Sequence, residues 1–502
     1  MHLIDLLQNL VEMPTPAKTM VISGLVADSR RVGHGNLFFA LNGTSDDGYN
    51  YSKHAINSGA VAILGDSRPF DNDIKKLAKA SNVILLNCEN PRWVMSQAAA
   101  RYWPKRPNMV AAVTGTNGKT STAEFLRQIW RRASWKTATL GTLGIIGSDS
   151  FSKKDSILDL PQLTTPDCLS LHSIINDLSK AGMTHLALEA SSHGLEQYRL
   201  DGLEIHVAGF TNLSRDHLDH HLDMGAYFSS KLRLFTELLK PGGCAVINLD
   251  DPFSEKILEQ IVTREIVVKT FGYSEKADFC IKSISPSGDG LDMVVNHQGK
   301  TWNIPLALSG TFQAVNALGA AVIAHSSGLP LHDSLGALPF LIAAPGRMQS
   351  IHGHPLGARV VIDYAHTPEA LEAALGALRP EASGKLMVVF GCGGNRDSGK
   401  RELMGNIAAK IADNVIVTDD NPREESPAQI RSEIIAACPS AEEIFPRDKA
   451  INYAIKKLGF GDVLLIAGKG HESVQLVGNE TLPFDDSAVA NNIIKNLKGS
   501  AL

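Results

Sequence analysis

Short apolar runs separated by turns recur along most of the chain, and they predict alternating strands and helices. In the first hundred residues the runs LFFALNG, AVAILGD and NVILLN alternate with turn residues, a pattern typical of a small α/β domain. The segment YWPKRPNM at 102–109 carries two prolines and breaks this pattern, so it is interpreted as a linker.

A second series of strand patterns follows the linker. The run MVAAVTG precedes a glycine turn and the helical pattern TSTAEFLRQIWRRAS, and further apolar runs lie at 185–190, 206–213 and 244–250. Helical patterns separate several of these runs, which predicts a largely parallel sheet. Residues near 265–305 are β-rich and irregular, which favours an antiparallel extension.

The alternation of strands and helices restarts after a break near AAPGRMQ at 343–349. The runs RVVIDYAH, KLMVVFGCGG, NVIVTDD and DVLLIAG each precede a helical pattern, as in doubly wound domains that bind ligands at the carboxyl ends of their strands. The predicted fold is α/β with three domains. These are a small N-terminal α/β domain at 1–103, a central mostly parallel domain like those of P-loop ATPases at 104–345, and a Rossmann-like C-terminal domain at 346–502.

Composition narrows the classes of function. Hydrophobic residues make up 44%, charged residues 20%, and the net charge is -5, which argues against a general nucleic-acid or membrane-surface binder. The six cysteines have no CxxC or zinc spacing and fit reduced thiols in the cytosol. The N-terminus predicts a short amphipathic helix rather than a signal peptide, and no apolar run is long enough to predict a membrane span.

The strongest local motif is a glycine-containing loop between a predicted strand and a predicted helix. It consists of Thr114, Gly115, Thr116, Asn117, Gly118, Lys119 and Thr120. Glycines let backbone N–H groups turn toward phosphate oxygens, and the helix N-terminus adds a positive dipole end. Lys119 can reach the β- and γ-phosphates and Thr120 can hold Mg²⁺. The loop departs from the GxxxxGK pattern, whose first glycine would stand at Val113, and an ordinary glycine turn is the alternative interpretation.

This loop in its setting resembles the Mur ligase family, which includes folylpolyglutamate synthetase. Six further segments follow in order: LEASSHGL, FTNLSRDHLDHH, DYAHTP, GCGGNRDSGKR, TDDNPRE and AGKGHE. Together they resemble the members that add the third residue of the peptidoglycan stem peptide. The resemblance covers nearly the whole chain and is weakest at 65–100 and 255–305. It implies an N-terminal domain that grips a UDP-linked substrate, a central domain that holds ATP and a C-terminal domain that brings the amino acid.

The resemblance also implies the chemistry. ATP would phosphorylate a carboxylate, and an amine would then displace phosphate, with magnesium and cations neutralising the developing charge. The implied catalytic residues are Lys119, Glu189, His217 and Lys231, and the implied metal ligands are Thr120, Glu189, His217 and Lys231. Lys231 is implied to be carbamylated, because an ammonium would repel magnesium whereas a carbamate is an anionic oxygen ligand. Taken alone, Lys231 would be interpreted as a solvated helix lysine and His217 as a core or capping histidine.

Further positions match the family near the two nucleotides. Asn316, Arg347 and Asp363 match positions near ATP, although Gln313 stands where relatives often have asparagine. On the UDP-substrate side the matching residues are Ser29, Thr44, Ser45, Asp46, Thr164, Thr165, Ser191, Gln197 and Arg199. Leu163 replaces an asparagine of some relatives, so that contact does not carry over. His220 and His221 lack partners at regular spacing, which disfavours zinc.

The segment Asp420, Asn421, Pro422 and Arg423 bears on which amino acid is added. In the family this DNPR motif goes with meso-diaminopimelate, and Arg396, Gly468 and Glu472 match further amino-acid contacts. Diaminopimelate carries a carboxylate at its far end, which Arg423 can pair with bidentately. Lysine would leave Arg423 facing a cation, at a cost on the order of 2–5 kcal/mol. A surface ion pair of Arg423 with Glu424 or Glu425 is the structural alternative.

The resemblance therefore implies the substrates UDP-N-acetylmuramoyl-L-alanyl-D-glutamate, meso-diaminopimelate and ATP, acted on in the cytoplasm by a monomer with no nucleic-acid partner. Three alternatives stay open: a lysine- or ornithine-adding ligase, folylpolyglutamate synthetase, and a nucleotide-dependent regulatory protein with an inactive site. Arg423 argues against the first. The DNPR segment and the UDP-domain match argue against the second, and the intact catalytic residues argue against the third.

Overall fold

The computed structural model describes residues 1–15, 19–43, 46–147, 163–214, 221–287 and 290–500. By the proximity of Cα atoms the chain forms two compact units. The first comprises Met1–Lys119 with Trp130–Lys269, and the second comprises Thr120–Ile129 with Thr270–Leu502. Among the described residues, no helix combines the length and the apolar character that a membrane crossing requires.

The N-terminal part of the first unit is a four-stranded parallel sheet with helices, which confirms the predicted α/β class. The strands pair in chain order: β1 (Gly24–Val26), β2 (Asn36–Phe39), β3 (Ala62–Gly65) and β4 (Ile84–Asn87). The helices are α1 (Leu3–Leu7), α2 (Ser52–Asn57), α3 (Asn72–Ala80) and α4 (Pro91–Tyr102). Helix α4 begins with a proline after the capping side chain of Asn90, which accepts a bond from Trp93 N, a favourable helix start.

The remainder of the first unit carries six strands in the order β10-β9-β5-β8-β6-β7. They are β5 (Met109–Thr114), β6 (Thr137–Gly141), β7 (Gly144–Gly147), β8 (His185–Glu189), β9 (Ile205–Phe210) and β10 (Leu239–Asn248). All of these pairs are parallel except β6 with β7. The helices are α6 (Cys168–Lys180), α7 (Ser192–Glu196), α8 (Met224–Arg233) and α9 (Ser254–Ile261). Helix α5 (Lys119–Arg132) follows β5, and its residues Thr120–Ile129 belong to the second unit. The largely parallel sheet is confirmed.

The second unit contains the predicted antiparallel extension. Strand β11 (Val267–Gly272) pairs with β12 (Phe279–Ser287), which continues antiparallel into β13 (Gly290–His297) and β14 (Lys300–Leu306). Helices α10 (Thr311–Ser326) and α11 (Leu331–Gly336) follow. Helix α10 is buried along most of its length, because its middle is built from alanine, leucine and valine.

The C-terminal part of the second unit is a six-stranded sheet in the order β15-β16-β20-β17-β18-β19. Its strands are β15 (Gln349–Ile351), β16 (Arg359–Asp363), β17 (Leu386–Phe390), β18 (Asn414–Val417), β19 (Glu442–Glu443) and β20 (Val463–Ala467). The helices are α12 (Pro368–Leu378), α13 (Lys400–Ile411), α14 (Pro427–Ala437), α15 (Arg447–Lys457) and α16 (Asp486–Ser500). One hydrophobic cluster contains Val361, Val388 and Leu465 and another contains Val360, Val389 and Leu464. Since alternate residues of each strand point to opposite faces, both faces are covered, as the doubly wound prediction requires.

A two-stranded hairpin, β21 (Val474–Val477) and β22 (Glu480–Pro483), was not predicted. Its residues are partly or fully exposed, so the segment lacks the apolar run or alternation that marks a buried strand. The hairpin matters for the site, because Arg423 forms a parallel bridge with Val477.

Candidate active site

Three parallel strands of the first unit end side by side. Val113 of β5 is in register with Glu189 of β8, and Thr114 of β5 is in register with Phe210 of β9. The carboxyl ends of parallel strands lie at one edge of a sheet, where ligands bind in open α/β folds. The glycine loop, Glu189 and the segment that follows β9 therefore share one edge.

The glycine loop has backbone that other residues could not adopt easily. Gly115 has φ 153° and Gly118 has φ 84°, and a Cβ on Gly115 would lie 1.9 Å from the hydroxyl of Thr211. The segment after β9 ties the loop down, since Thr116 N donates to Asn212 O at 2.8 Å and Asn117 N donates to Asn212 Oδ1 at 2.9 Å. The loop is thus held in one shape before any ligand binds.

Two lysines distant in sequence meet at this loop. Lys119 Nζ donates to the carbonyls of Gly115 and Thr116, both at 2.7 Å. Lys231 Nζ, on α8, donates to the same Gly115 carbonyl at 2.9 Å. The Lys231 side chain lies over the ring of Tyr227 at 4.5 Å, and the residue is only 2% exposed. Two of the four predicted catalytic residues therefore converge, and Lys231 is not the solvated lysine that its local sequence would indicate.

Glu189 ends β8 and is 4% exposed. Its two carboxylate oxygens accept from Thr142, Oε1 from the backbone N–H at 2.8 Å and Oε2 from the hydroxyl at 3.1 Å. A Cβ on Gly141 would lie 2.1 Å from Oε1, so the carboxylate passes directly over a glycine. Thr142 was missed by the sequence analysis, because it belongs to no motif and only the pairing of β6 with β8 brings it to this edge.

The predicted metal site is described only in part. Glu189 offers a carboxylate, and Thr120, buried at the start of α5, offers a hydroxyl; both are oxygen donors of the kind that Mg²⁺ takes. The described residues contain no group of three or more His, Cys, Asp or Glu that could hold a metal. Mg²⁺ is commonly held by one or two carboxylates together with substrate phosphates, so it does not need such a group. His217 and His220 lie outside the described residues.

The neighbouring His221 is described. It is buried, and its Nδ1 lies 3.7 Å from Glu196 Oε2. Its ring also packs 5.1 Å from that of Tyr227. These are the contacts of a packed core histidine.

Four residues predicted for the UDP substrate form one hydrogen-bonded group. The hydroxyl of Thr165 donates to Glu189 O at 2.7 Å and accepts from Ser191 N and Ser191 Oγ at 3.0 Å. Arg199 donates to the Thr165 carbonyl and, through NH2, to Gln197 Oε1 at 2.8 Å. Burial lowers the pKa of Arg199. The group is continuous with Glu189, because the hydroxyl of Thr164 lies 3.2 Å from that of Thr142.

The N-terminal substrate residues are placed in part. Ser29 is buried in the short 3₁₀ helix Ser29–Arg31. The carboxylate of Asp46 accepts from the hydroxyl of Tyr51 at 2.8 Å. Thr44 and Ser45 lie outside the described residues, and Leu163 is 40% exposed.

A cavity of about 490 Å³ opens in the first unit. It reaches from residues 25–28, at the end of β1, to Gln197 and Arg199. Its volume is within the ordinary range for small-molecule sites.

The residues predicted near ATP in the second unit are linked in a row. Asn316 Nδ2 donates to Gln313 Oε1 at 3.2 Å, and Gln313 Nε2 donates to Arg347 O at 3.0 Å. Gln313, which departs from the family pattern, therefore joins the two predicted residues. Asp363 Oδ2 accepts from Met348 N at 2.7 Å. Burial raises the pKa of Asp363 to about 6, an effect that the Arg347 charge opposes.

Two loops of the second unit meet around Arg423. Its NH1 donates to Gly394 O at 2.8 Å, and Gly394 N donates to Asn421 O at 2.9 Å. Arg423 has φ 52°, a left-handed conformation that is unusual for a residue with a side chain. The hairpin holds that conformation, since Arg423 N donates to Leu476 O at 3.0 Å and Arg423 O accepts from Gly478 N at 2.7 Å.

The charge of Arg423 is not paired within the described part of the chain, where its side-chain acceptors are carbonyl oxygens. Glu425, one of the two partners in the structural alternative, instead accepts from Arg401 NH2 at 2.7 Å. Arg396 is exposed. A Cβ on Gly393 would meet Arg423 NH1 at 2.9 Å and Arg396 Cγ at 4.0 Å. The glycine between them therefore lets the two arginines approach each other.

The remaining predicted residues of this loop cluster surround a buried lysine. Lys469 is fully buried, and its Nζ donates to Asn421 Oδ1 at 3.0 Å and to Glu472 Oε2 at 3.1 Å. Asn421 Nδ2 donates to the same Glu472 oxygen at 2.8 Å. Gly468 has φ 112°, and a Cβ there would lie 2.5 Å from Asp420 Oδ2. That oxygen is buried and has no hydrogen-bond donor among the described residues, so it can accept from an amine.

Known protein families and individual proteins match nearly the whole length of the chain. Three family models match in order: "Mur ligase family, catalytic domain" at 21–103, "Mur ligase middle domain" at 113–324 and "Mur ligase, glutamate ligase domain" at 346–470. A protein of Bradyrhizobium diazoefficiens named UDP-N-acetylmuramoyl-L-alanyl-D-glutamate--2,6-diaminopimelate ligase is 45% identical over 489 residues, covering 97% of each chain.

Two solved structures extend the comparison. One, titled as a UDP-N-acetylmuramoyl-L-alanyl-D-glutamate--2,6-diaminopimelate ligase, is 31% identical, covers 99% of both chains and has a TM-score of 0.72. A MurF ligase from Thermotoga maritima in complex with ADP is 18% identical, covers 96% of this chain and 99% of its own, and has a TM-score of 0.59. The second likeness concerns the fold alone.

Proposed function

Because the chain belongs to the Mur ligase family, we propose that it adds meso-diaminopimelate to the D-glutamate of UDP-N-acetylmuramoyl-L-alanyl-D-glutamate, driven by ATP. Relatives of that name at 45% and 31% identity support the substrates, and the glycine loop with Lys119 supports the use of ATP. The proposal includes the domain boundaries 1–103, 104–345 and 346–502, a cytoplasmic location and a monomer. It also places the reaction in the synthesis of peptidoglycan precursors.

One observation carries the choice of amino acid. Arg423 is held in a left-handed conformation, is bonded to the Gly394 carbonyl at 2.8 Å and has no carboxylate partner among the described residues. A guanidinium has five donors, so several remain for a ligand. Diaminopimelate supplies a far carboxylate for this group, whereas lysine supplies a second cation. At the other end of the site, Asp420 Oδ2 and Glu472 can accept from ammonium groups.

The proposed reaction activates a carboxylate before an amine attacks it. An oxygen of the substrate's D-glutamate carboxylate attacks the γ-phosphorus of ATP, ADP leaves, and an acyl phosphate forms. The amino group of diaminopimelate then attacks the acyl carbon and loses a proton, and inorganic phosphate leaves with the bonding electrons. Phosphoryl transfer of this kind depends on positioning and on charge neutralisation.

In this proposal the charge neutralisation and the positioning come from residues at the edge of the sheet where β5, β8 and β9 end. Lys119, bonded to the Gly115 carbonyl at 2.7 Å, places positive charge beside the phosphate loop, and Lys231 is bonded to the same carbonyl at 2.9 Å. Magnesium, when bound, would polarise the phosphate oxygens. Thr120, Glu189, His217 and a carbamylated Lys231 would hold it.

The carbamylation of Lys231 has a physical rationale. An ammonium at this buried position, which is 2% exposed, would repel a magnesium ion beside it. Addition of carbon dioxide to the neutral amine, with loss of a proton, gives a carbamate. The carbamate supplies anionic oxygens and keeps one N–H on Nζ, which can still donate to the Gly115 carbonyl.

The test is phosphate release from ATP and Mg²⁺ with UDP-N-acetylmuramoyl-L-alanyl-D-glutamate, in parallel reactions with meso-diaminopimelate or L-lysine. Mass spectrometry identifies the product. We expect turnover with diaminopimelate and little with lysine. Equal or better turnover with lysine would keep the ligase and reject the amino acid. No turnover with either would reject the proposal and favour folylpolyglutamate synthesis or an inactive relative.

A further inference from the structure

Helix α4 places an arginine in the cavity of the first unit that no motif had singled out. Arg92 lies in the first turn of α4 and lines the 490 Å³ cavity together with Arg199 and Arg31. Its NH2 donates to the carbonyl of Asn42 at 2.9 Å. The rest of its guanidinium donors have no partner among the described residues.

Arg92 stands between the two ends of the predicted UDP-substrate site. Asn42, its partner, forms a bridge with Asp47 and so closes the loop that contains Asp46, a residue predicted for the uridine end. On the other side, Arg92 shares the cavity with Arg199, a residue predicted for the muramoyl-peptide end. In a UDP-sugar, the diphosphate is the group that joins these two ends.

Three arginines give the cavity an excess of positive charge, although the Asp167 carboxylate opposes the lowering of the Arg199 pKa by burial. Burial lowers the pKa of Arg92 and of Arg199, each of which is half-buried. Two carboxylates also line the cavity, but Asp28 is bound by Arg30 at 2.8 Å and Asp167 caps α6 by accepting from Ser170 N at 3.1 Å. Neither forms an ion pair with Arg92 or Arg199 in the described part of the chain. Two half-buried cations that line one cavity fit an anion that binds both.

We propose that Arg92 binds the diphosphate of the UDP-linked substrate and shares it with Arg199, which extends towards the muramoyl peptide. The inference rests on the proposed UDP-linked substrate and adds a residue to its site. A guanidinium suits this position, because its fork can bind oxygens of both phosphates while its remaining donor stays on the Asn42 carbonyl.

The test compares binding of UDP, UMP and uridine by ligand-observed NMR titration, which needs no turnover. The variants are Arg92→Gln and Arg92→Lys, with Lys53→Gln as the matched control. Lys53 is an exposed residue of α2 that does not line the cavity, so the control removes the same charge from the same part of the chain.

In the wild type we expect UDP to bind more tightly than uridine. In Arg92→Gln the ratio of the Kd for uridine to the Kd for UDP should fall by roughly 10- to 100-fold, because one or two charge-assisted hydrogen bonds to UDP are lost. The Kd for uridine itself should not change. Arg92→Lys should lose less, and the control should lose nothing. The KM for the UDP-muramoyl dipeptide should rise in parallel, with the KM for ATP unchanged.

Two results would overturn the inference. One is that UDP still binds as much more tightly than uridine in Arg92→Gln as in the wild type. The other is an equal loss of affinity for both ligands, which would indicate a purely structural role for Arg92. If Arg92→Gln does not fold, Arg92→Lys decides on the same criterion. Failure of the ligation reaction with intact, Arg92-dependent UDP binding would reject the proposed function and leave this inference standing.

Discussion

Replacing Arg423 with methionine tests the amino-acid specificity directly. Methionine has a similar length and no charge, and it would adopt the same left-handed backbone, which the hairpin holds through Leu476 and Gly478. The substitution therefore removes the guanidinium and leaves the backbone conformation of the loop unchanged. The lost internal bond is the one to Gly394 O at 2.8 Å.

The expected loss of kcat/KM for diaminopimelate follows from how deeply the Arg423 side chain is buried. A charge-assisted hydrogen bond contributes about 1.5–3 kcal/mol, and a fully buried ion pair more, about 2–5 kcal/mol when one partner is removed. Arg423 is half-buried, so the lower range applies. At about 1.4 kcal/mol for each factor of ten, kcat/KM for diaminopimelate should fall roughly 10- to 150-fold.

The assay is initial-rate phosphate release with diaminopimelate and with L-lysine, for the wild type, Arg423→Met and the control Lys410→Met. Lys410 is exposed in the last turn of α13. We expect kcat/KM for lysine to stay constant or to rise, because the variant no longer has a cation that repels the lysine ammonium. The ratio of kcat/KM for diaminopimelate to kcat/KM for lysine should therefore decrease. An equal loss for both substrates, or no loss for diaminopimelate, would refute the assignment of Arg423 to the far carboxylate.

Three further predictions concern buried ionisable groups. Lys231→Ala should lower kcat by about 100-fold or more, and short carboxylic acids added to the buffer should partly restore it if a carbamate normally supplies the oxygens; rescue by short amines instead would contradict the carbamate. Burial raises the pKa of Asp363 from 3.8 to about 6, so the folded protein binds this proton more tightly than the unfolded chain does. The resulting stabilisation of the folded state is complete below pH 3.8 and is lost as the pH rises through about 6. Asp363→Asn should therefore match the wild type in denaturant unfolding near pH 4 and exceed it above pH 7, by at most about 3 kcal/mol; an equal difference at both pH values would count against it. Lys469→Met should raise the KM for diaminopimelate at least 10-fold by releasing Asn421 and Glu472, with the KM for ATP unchanged; parallel rises in both constants would point to general unfolding.

The order of strands and helices could be predicted because buried parallel strands read as apolar runs. MVAAVTG and KLMVVFGCGG became β5 and β17, each followed by a helix. The glycine loop was predictable for the same reason, since a strand, a GK pair and a helix are adjacent in sequence. The hairpin β21–β22 was not, because its strands are partly exposed and carry no distinctive periodicity.

Lys231 and Thr142 illustrate what local patterns cannot supply. Nothing in AYFSSKLRLF indicates that Lys231 is 2% exposed and 2.9 Å from the Gly115 carbonyl; only the resemblance to a family selected it. Thr142, which holds both oxygens of Glu189, belongs to no motif. In both cases the partner lies at least 47 residues away along the chain, and only the pairing of strands brings it near.

The specificity loop shows how much more than a motif the structure provides. Glu425 accepts from Asn395 N through one oxygen and from Arg401 NH2, at 2.7 Å, through the other. Asn395 Oδ1 in turn accepts from Glu424 N at 3.1 Å. These bonds tie the loop that carries Arg396 to the loop that carries Arg423. The DNPR segment alone would leave Arg423 free to follow a mobile loop, so its selectivity depends on Glu425 as well. A ligase that kept DNPR and lost this carboxylate should discriminate between diaminopimelate and lysine less well, because its two arginines would no longer be held together before the substrate arrives.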